Sequence, residues 1–195
     1  MAESAEEAPS ASTQESSSIM REIVQLERLR PYLIERYLQW VDEQRVLLLP
    51  KARPLTNEEK SRLQGYFAER ILDMARVATV DHISNPDFYD ELTKSGVPIP
   101  LDFNHAIGLT LVDCILIHKQ LWAYPKSALS TIFHELVHVV QIDIMGIRKH
   151  IELYADSLIQ NDLQYHSVIF ERQAYDLTAR FDRQELPFSV SKEIK

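Results

Sequence analysis

Residues 127–145 read SALSTIFHELVHVVQIDIM, and Gly146 follows. The segment is apolar on nearly every side, the signature of a helix enclosed by the fold. Ser127 is a cap candidate and Gly146 a natural stop. Within it, His134 and His138 stand four positions apart, so on a helix they project from one face, one turn above the other. That spacing lets two imidazoles hold one metal ion, and zinc suits neutral imidazole nitrogens. Glu135, next to the first histidine, is placed to take a proton from a water at such a metal. Chance alone can produce H-E-x-x-H, but here Ile132 and Phe133 precede the motif and Val139 and Val140 follow it. Two histidines and a glutamate in such surroundings are costly without a metal or hydrogen-bond partners.

A catalytic zinc needs three protein ligands and an open position. The metzincin pattern is excluded, because Gln141 stands where its glycine belongs and Ile144 where its third histidine belongs. Downstream donors are Asp143, His150, Glu152, Asp156, Asp162, His166, Glu171 and Asp176. A short helix is expected over 147–160 and a last one from Ser167 through VIFERQAYDLTARF. Glu171 stands out on that last helix, which a connecting helix allows to lie beside 127–145, with the small Ala174 one turn on. The plainer reading is that Glu171 serves the first turn of its own helix, where a carboxylate is favourable anyway.

HELVHVVQ (134–141) followed by E-x-x-A-Y (171–175) resembles the minimal gluzincin-like domains, compact metallopeptidase-type modules. The resemblance covers approximately residues 75–183 and does not reach the N-terminal 75. It implies a thermolysin-like site on a small sheet whose edge strand lies beside the cleft. Residue by residue it carries over His134, His138 and Glu171 as metal ligands and Glu135 as the catalytic carboxylate. It leaves the substrate open, since such compact domains lack the second lobe of larger zincins.

Outward from the motif, residues 1–18 (MAESAEEAPSASTQESSS) read as a disordered acidic tail. Residues 19–46 carry apolar positions at helical spacing, with Pro31 expected to kink or split the helix. VLLLPKARPL breaks the pattern, and Thr56-Asn57-Glu58-Glu59 opens a helix expected over 57–74. ARVATVDHI (75–83) reads as a strand, FYDELTKS as a short helix ending at Gly96, VPIPLDFNHAIG as a loop, and LTLVDCILIHKQLWAY as one or two strands. The expected fold is α+β and zincin-like: mainly helical, with a small mixed sheet beside the active-site helix. The expected divisions are a tail (1–18), an N-terminal helical extension (19–74) able to roof or mask the cleft, a metal-binding domain (75–185) and a C-terminal tail (186–195).

Tyr175, on the face of Glu171, is the first candidate to steady an oxyanion, with Tyr165, His166 and Tyr154 behind it. Asp176 and Asp113 are weaker candidates to orient the imidazoles, and Gln141 could hydrogen-bond near the site or serve helix packing. His82, His105, His118 and His150 lack metal spacing and read as surface or core histidines. Trp40 and Trp122 read as packing residues.

With 195 residues, 45% of them hydrophobic, one domain with a buried core is the default. A formal charge of -8 disfavours nucleic acid and anionic membranes as partners. Cys114, the single cysteine, excludes an intrachain disulfide and a Cys-rich zinc site. No basic-then-apolar leader opens the sequence, and no membrane span is expected, so a cytoplasmic location fits. The function expected is zinc-dependent hydrolysis of peptide or protein substrates with Glu135 as general base. The alternatives are a non-catalytic, zinc-stapled interaction module and a zinc hydrolase of a non-peptide bond.

Overall fold

The computed structural model describes residues 11–97, 99 and 101–194, with side chains from residue 19 onward. Two strands form from the β-branched and aliphatic runs expected to do so: β2 (Arg76–Val80) and β4 (Cys114–His118). They pair in parallel, Arg76 opposite Cys114. LTLVDCILIH folds back on itself, so that β3 (Gly108–Leu111) lies antiparallel to β4 through a two-residue turn at Val112 and Asp113. A two-residue strand not anticipated from sequence, β1 (Arg53–Pro54), adds to β2. Among the described residues the sheet is thus mixed, in the order β1-β2-β4-β3, with β3 at one edge.

Alternation along the strands gives the sheet two apolar faces. Val77, Ile115 and Ile117 point to one side, where they meet Ile132, Phe133, Leu136 and Val140 of α5 (Pro125–Met145). Ala78, Cys114 and Leu116 point to the other, where Trp40 and Val41 of α1 (Ala11–Leu48) and Phe88 and Phe103 cover them. The sheet is therefore a middle layer. α6 (Ile147–Gln160) and α7 (Ile169–Asp182) complete the layer around α5, and the fully buried Ala174 lets α7 approach closely.

Several sequence expectations need correction. Pro31 neither ends nor splits α1, which continues to Leu48. Both Pro31 and Glu27, whose carbonyl loses its partner, are solvent-exposed, so water can replace the missing bond. The expected tail lies outside the described residues for 1–10, while 11–18 have helical backbone. The helix expected over 57–74 is two: α2 (Asn57–Leu63) and α3 (Glu69–Met74), parted at Gly65, whose φ of +90° no helix contains. Thr56 and Glu59 form a reciprocal capping box on α2. α4 (Tyr89–Lys94) follows at FYDELTKS. α5 starts earlier than Ser127, with Tyr124 as the flanking residue and Pro125 in its first turn, and it stops at Gly146 with φ +81°. Within the segment expected as a C-terminal tail, 186–194 is described and α8 (Val190–Glu193) sets a fully buried Val190 into the core, its N–H bonded to the Tyr66 carbonyl at 2.9 Å. Among the described helices α5 alone is long and apolar enough to cross a membrane, and 67% of its most apolar window is buried inside the fold.

Candidate metal centre

Helical spacing on α5 places the His134 and His138 rings 4.9 Å apart, with their Nε2 atoms 3.2 Å from each other. α7 brings Glu171 across from them, 3.3 Å from His134 Nε2 and 3.5 Å from His138 Nε2. All three side chains are buried. His138 Nδ1 lies 2.8 Å from Gln141 Oε1, which can only accept, so Nδ1 carries the proton and a neutral His138 turns its Nε2 lone pair toward Glu171. Glu171 Oε2 is buried without a hydrogen-bond partner. Converging lone pairs and an orphaned carboxylate oxygen are the surroundings a cation satisfies, and the three donors can be drawn from one 4.8 Å cluster. The residues present therefore fit a metal ion.

Without a metal, the site's charges settle among themselves. Burial acts to raise the Glu171 carboxyl, but the two imidazoles override it and hold the group well below the usual carboxylate range. Burial acts to lower His138, and the Glu171 carboxylate reverses it and lifts the imidazole. Glu135 moves the opposite way from Glu171: burial raises its pKa, with His134 and His138 opposing only in part. Two carboxyl groups in one pocket thus have environments that push them apart.

Several residues support this cluster. Gln141, fully buried, fixes His138 and donates through Nε2 to the Phe170 carbonyl at 3.2 Å and Gln173 Oε1 at 2.9 Å, tying α5 to the start of α7. It is both the imidazole-orienting group and a packing group. Tyr154 donates to Glu171 Oε1 at 3.0 Å. Thr110 of β3 places its hydroxyl 2.8 Å from Glu135 Oε2 and 2.9 Å from the Glu135 carbonyl. Tyr175 sets its ring 4.6 Å from that of His134 while remaining 44% exposed, and Tyr165 and His166 sit with it around the same cavity.

The other candidates fall away from the metal cluster. Asp143 pairs with Arg70, Asp156 with Arg30 and Asp113 with Arg45, and Asp176 is exposed. His82 bonds Asn104, and His118 caps the turn after β4. Of the two readings left open for His150, surface or core, the structure gives the second. The residue is buried on α6, its ring 6.3 Å from that of His138, and burial together with His138 pushes it down to about 3.

The cluster opens into a cavity of about 870 Å³ with largely apolar walls. α1, β3, α5, α6 and α7 all contribute to it, the N-terminal helix with Leu26, Arg30, Leu33, Ile34 and Tyr37. Sequence reasoning missed Gly108 and Thr110, and it named His150 only as one of eight downstream donors. Nothing local marks them, since each matters through a contact made by a distant element. Comparison with protein-family models, with characterised proteins and with solved structures returned no match, so the likeness to minimal gluzincin-like domains rests on His134, Glu135, His138 and Glu171 and on the buried triad that three of them form.

Proposed function

We propose that the chain is a zinc-dependent hydrolase of peptide bonds. The observation that carries this reading is the position of Glu135: a buried carboxyl beside a three-ligand site, held by Thr110 and facing a substrate-sized cavity. A purely structural zinc is closed by four protein ligands and has no use for such a group. Here three ligands face open space.

Zinc held by His134, His138 and Glu171 would supply Lewis acidity toward a carbonyl oxygen and toward water. Glu135 accepts one proton from the attacking water as the new C–O bond forms. It then delivers that proton to the amine nitrogen as the C–N bond breaks. Gln141 and Tyr154 keep the ligand atoms aimed, and Tyr175, exposed at the rim beside His134, offers a phenol to the developing oxyanion.

Elemental analysis of the purified protein is expected to give one zinc per chain, lost in His134→Ala. Glu135→Gln should keep the zinc and lose turnover of a peptide library by about 10²-fold or more. A wild type without metal overturns the zinc reading, and undiminished turnover in Glu135→Gln overturns the base.

A further inference from the structure

Tyr154 stands behind Tyr175 as an oxyanion candidate in the sequence, yet its hydroxyl is committed elsewhere. It donates to Glu171 Oε1 at 3.0 Å. The ring lies nearly parallel to that of Phe170, the residue before Glu171, with centroids 6.3 Å apart and planes at 13°. It packs against the cluster that Leu158, Val168 and Phe170 form where α6 meets α7. Packing therefore sets the direction of the hydroxyl independently of what Glu171 binds.

The carboxylate that Tyr154 holds straddles the two imidazoles. Oε2 stands 3.3 Å from His134 Nε2, and Oε1 stands 3.5 Å from His138 Nε2. By distance alone both oxygens lie within reach of one ion, and a carboxylate can bind a cation through one oxygen or both. The hydrogen bond breaks that symmetry. It occupies Oε1 and draws electron density from it, whereas Oε2 is buried with no hydrogen-bond partner. The spacing of the other donors fits a small coordination number. Ligand atoms on a tetrahedral zinc, with bonds of about 2.0–2.1 Å, lie about 3.3 Å apart, against about 2.9 Å on an octahedral ion with the same bonds. Here the two Nε2 atoms are 3.2 Å apart and Oε2 is 3.3 Å from the nearer of them.

We propose that Tyr154 is a positioning residue that restricts Glu171 to a single ligand atom, Oε2, so that the metal takes three protein donors and keeps its fourth position for water or substrate. The inference rests on the metal-binding part of the reading above and not on hydrolysis. Without the hydroxyl, Oε1 is free to turn onto the same ion. A chelating carboxylate then adds a protein donor, raises the coordination number and weakens the pull of the ion on its water. The connecting helix α6 thus governs the geometry of a metal to which it gives no ligand, through a residue 17 positions before Glu171.

Cobalt(II) loaded into the full-length protein in place of zinc reports coordination number in its visible absorption, which is intense for four ligands and weak for five or six. Wild type is expected to show the intense four-coordinate bands. Tyr154→Phe keeps the ring against Phe170 and loses only the hydroxyl, and its cobalt bands should fall to about half or less. X-ray absorption of the zinc-loaded proteins reads the same change as one further oxygen at the metal in the variant. A residue that serves packing alone moves neither signal. A five-coordinate spectrum in wild type overturns the proposal even if the variant does not fold, and so does a four-coordinate spectrum that persists in Tyr154→Phe. A wild type that takes up neither cobalt nor zinc overturns the metal reading and the proposal with it. Four-coordinate cobalt that gives way to five in Tyr154→Phe, in a protein that cleaves no peptide, sinks the hydrolase reading and leaves the role of Tyr154 standing.

Discussion

Gly108 acts through the side chain it lacks. A β-carbon placed there would stand 2.5 Å from Glu135 Oε1 and 2.8 Å from Thr131 Cγ2, far inside contact distance. Gly108→Ala is therefore expected to displace the Glu135 carboxyl while leaving His134, His138 and Glu171 in place. Turnover should fall by about 10²-fold, as for loss of a general base, with zinc content unchanged; a variant that keeps full turnover contradicts the close approach. Gln141 acts on the metal ligands in turn. Gln141→Ala removes the bond to His138 Nδ1, and zinc affinity measured by chelator competition should drop about 10- to 100-fold. These two residues also mark the limit of what the sequence discloses. HELVH and Glu171 can be read because the ligand set follows from helical spacing and one partner helix. Gly108 and Thr110 come from β3, and nothing in their own neighbourhoods foretells that the fold carries them to Glu135.

Elements behaved according to how local their determinants are. α2 starts where Thr56 and Glu59 say it should, because both halves of a capping box lie within four residues. The split after Leu63 and the strand at Arg53–Pro54 were hidden, the first behind a glycine that helical periodicity tolerates, the second because a two-residue strand exists only through its partner β2. Glu59 also illustrates an electrostatic contribution at this scale. Burial acts to raise its carboxyl, but Arg53 at 2.7 Å and the Thr56 backbone N–H outweigh it, leaving the pKa below the ordinary 4.5. The stabilisation is thus present above pH 4.5 and lost as pH falls through the lowered folded value. Glu59→Gln should melt about 2–4 °C below wild type at pH 7, corresponding to about 1 kcal/mol, and the gap should close in acid. A gap that widens on acidification refutes the assignment.

For the molecule as a whole, the N-terminal helix is not an appendage. α1 covers one face of the sheet with Trp40 stacked on Phe103 at 5.8 Å, and Arg45 grips Asp113 in the β3–β4 turn through two bonds of 2.6 and 2.9 Å. Trp40→Ala is expected to cost about 3–5 kcal/mol in denaturant unfolding. A loss under 1 kcal/mol would mean that α1 rests on the core without supporting it. The amphipathic pattern of α1 was legible from sequence. Which of its residues meet the sheet and which line the cavity was not, because periodicity shows that a face is apolar without showing what it meets.

The parallel pairing of β2 with β4 has a kinetic consequence. Arg76 sits opposite Cys114, 38 positions later, so this central pairing closes only after a long intervening chain has been drawn in. β3 can join β4 early as a hairpin, but Gly108 and Thr110 reach Glu135 only when that hairpin docks on α5. Assembly of the reactive pocket is therefore tied to the slowest chain closures, and a nascent chain carries its histidines and carboxylates apart until the sheet is whole.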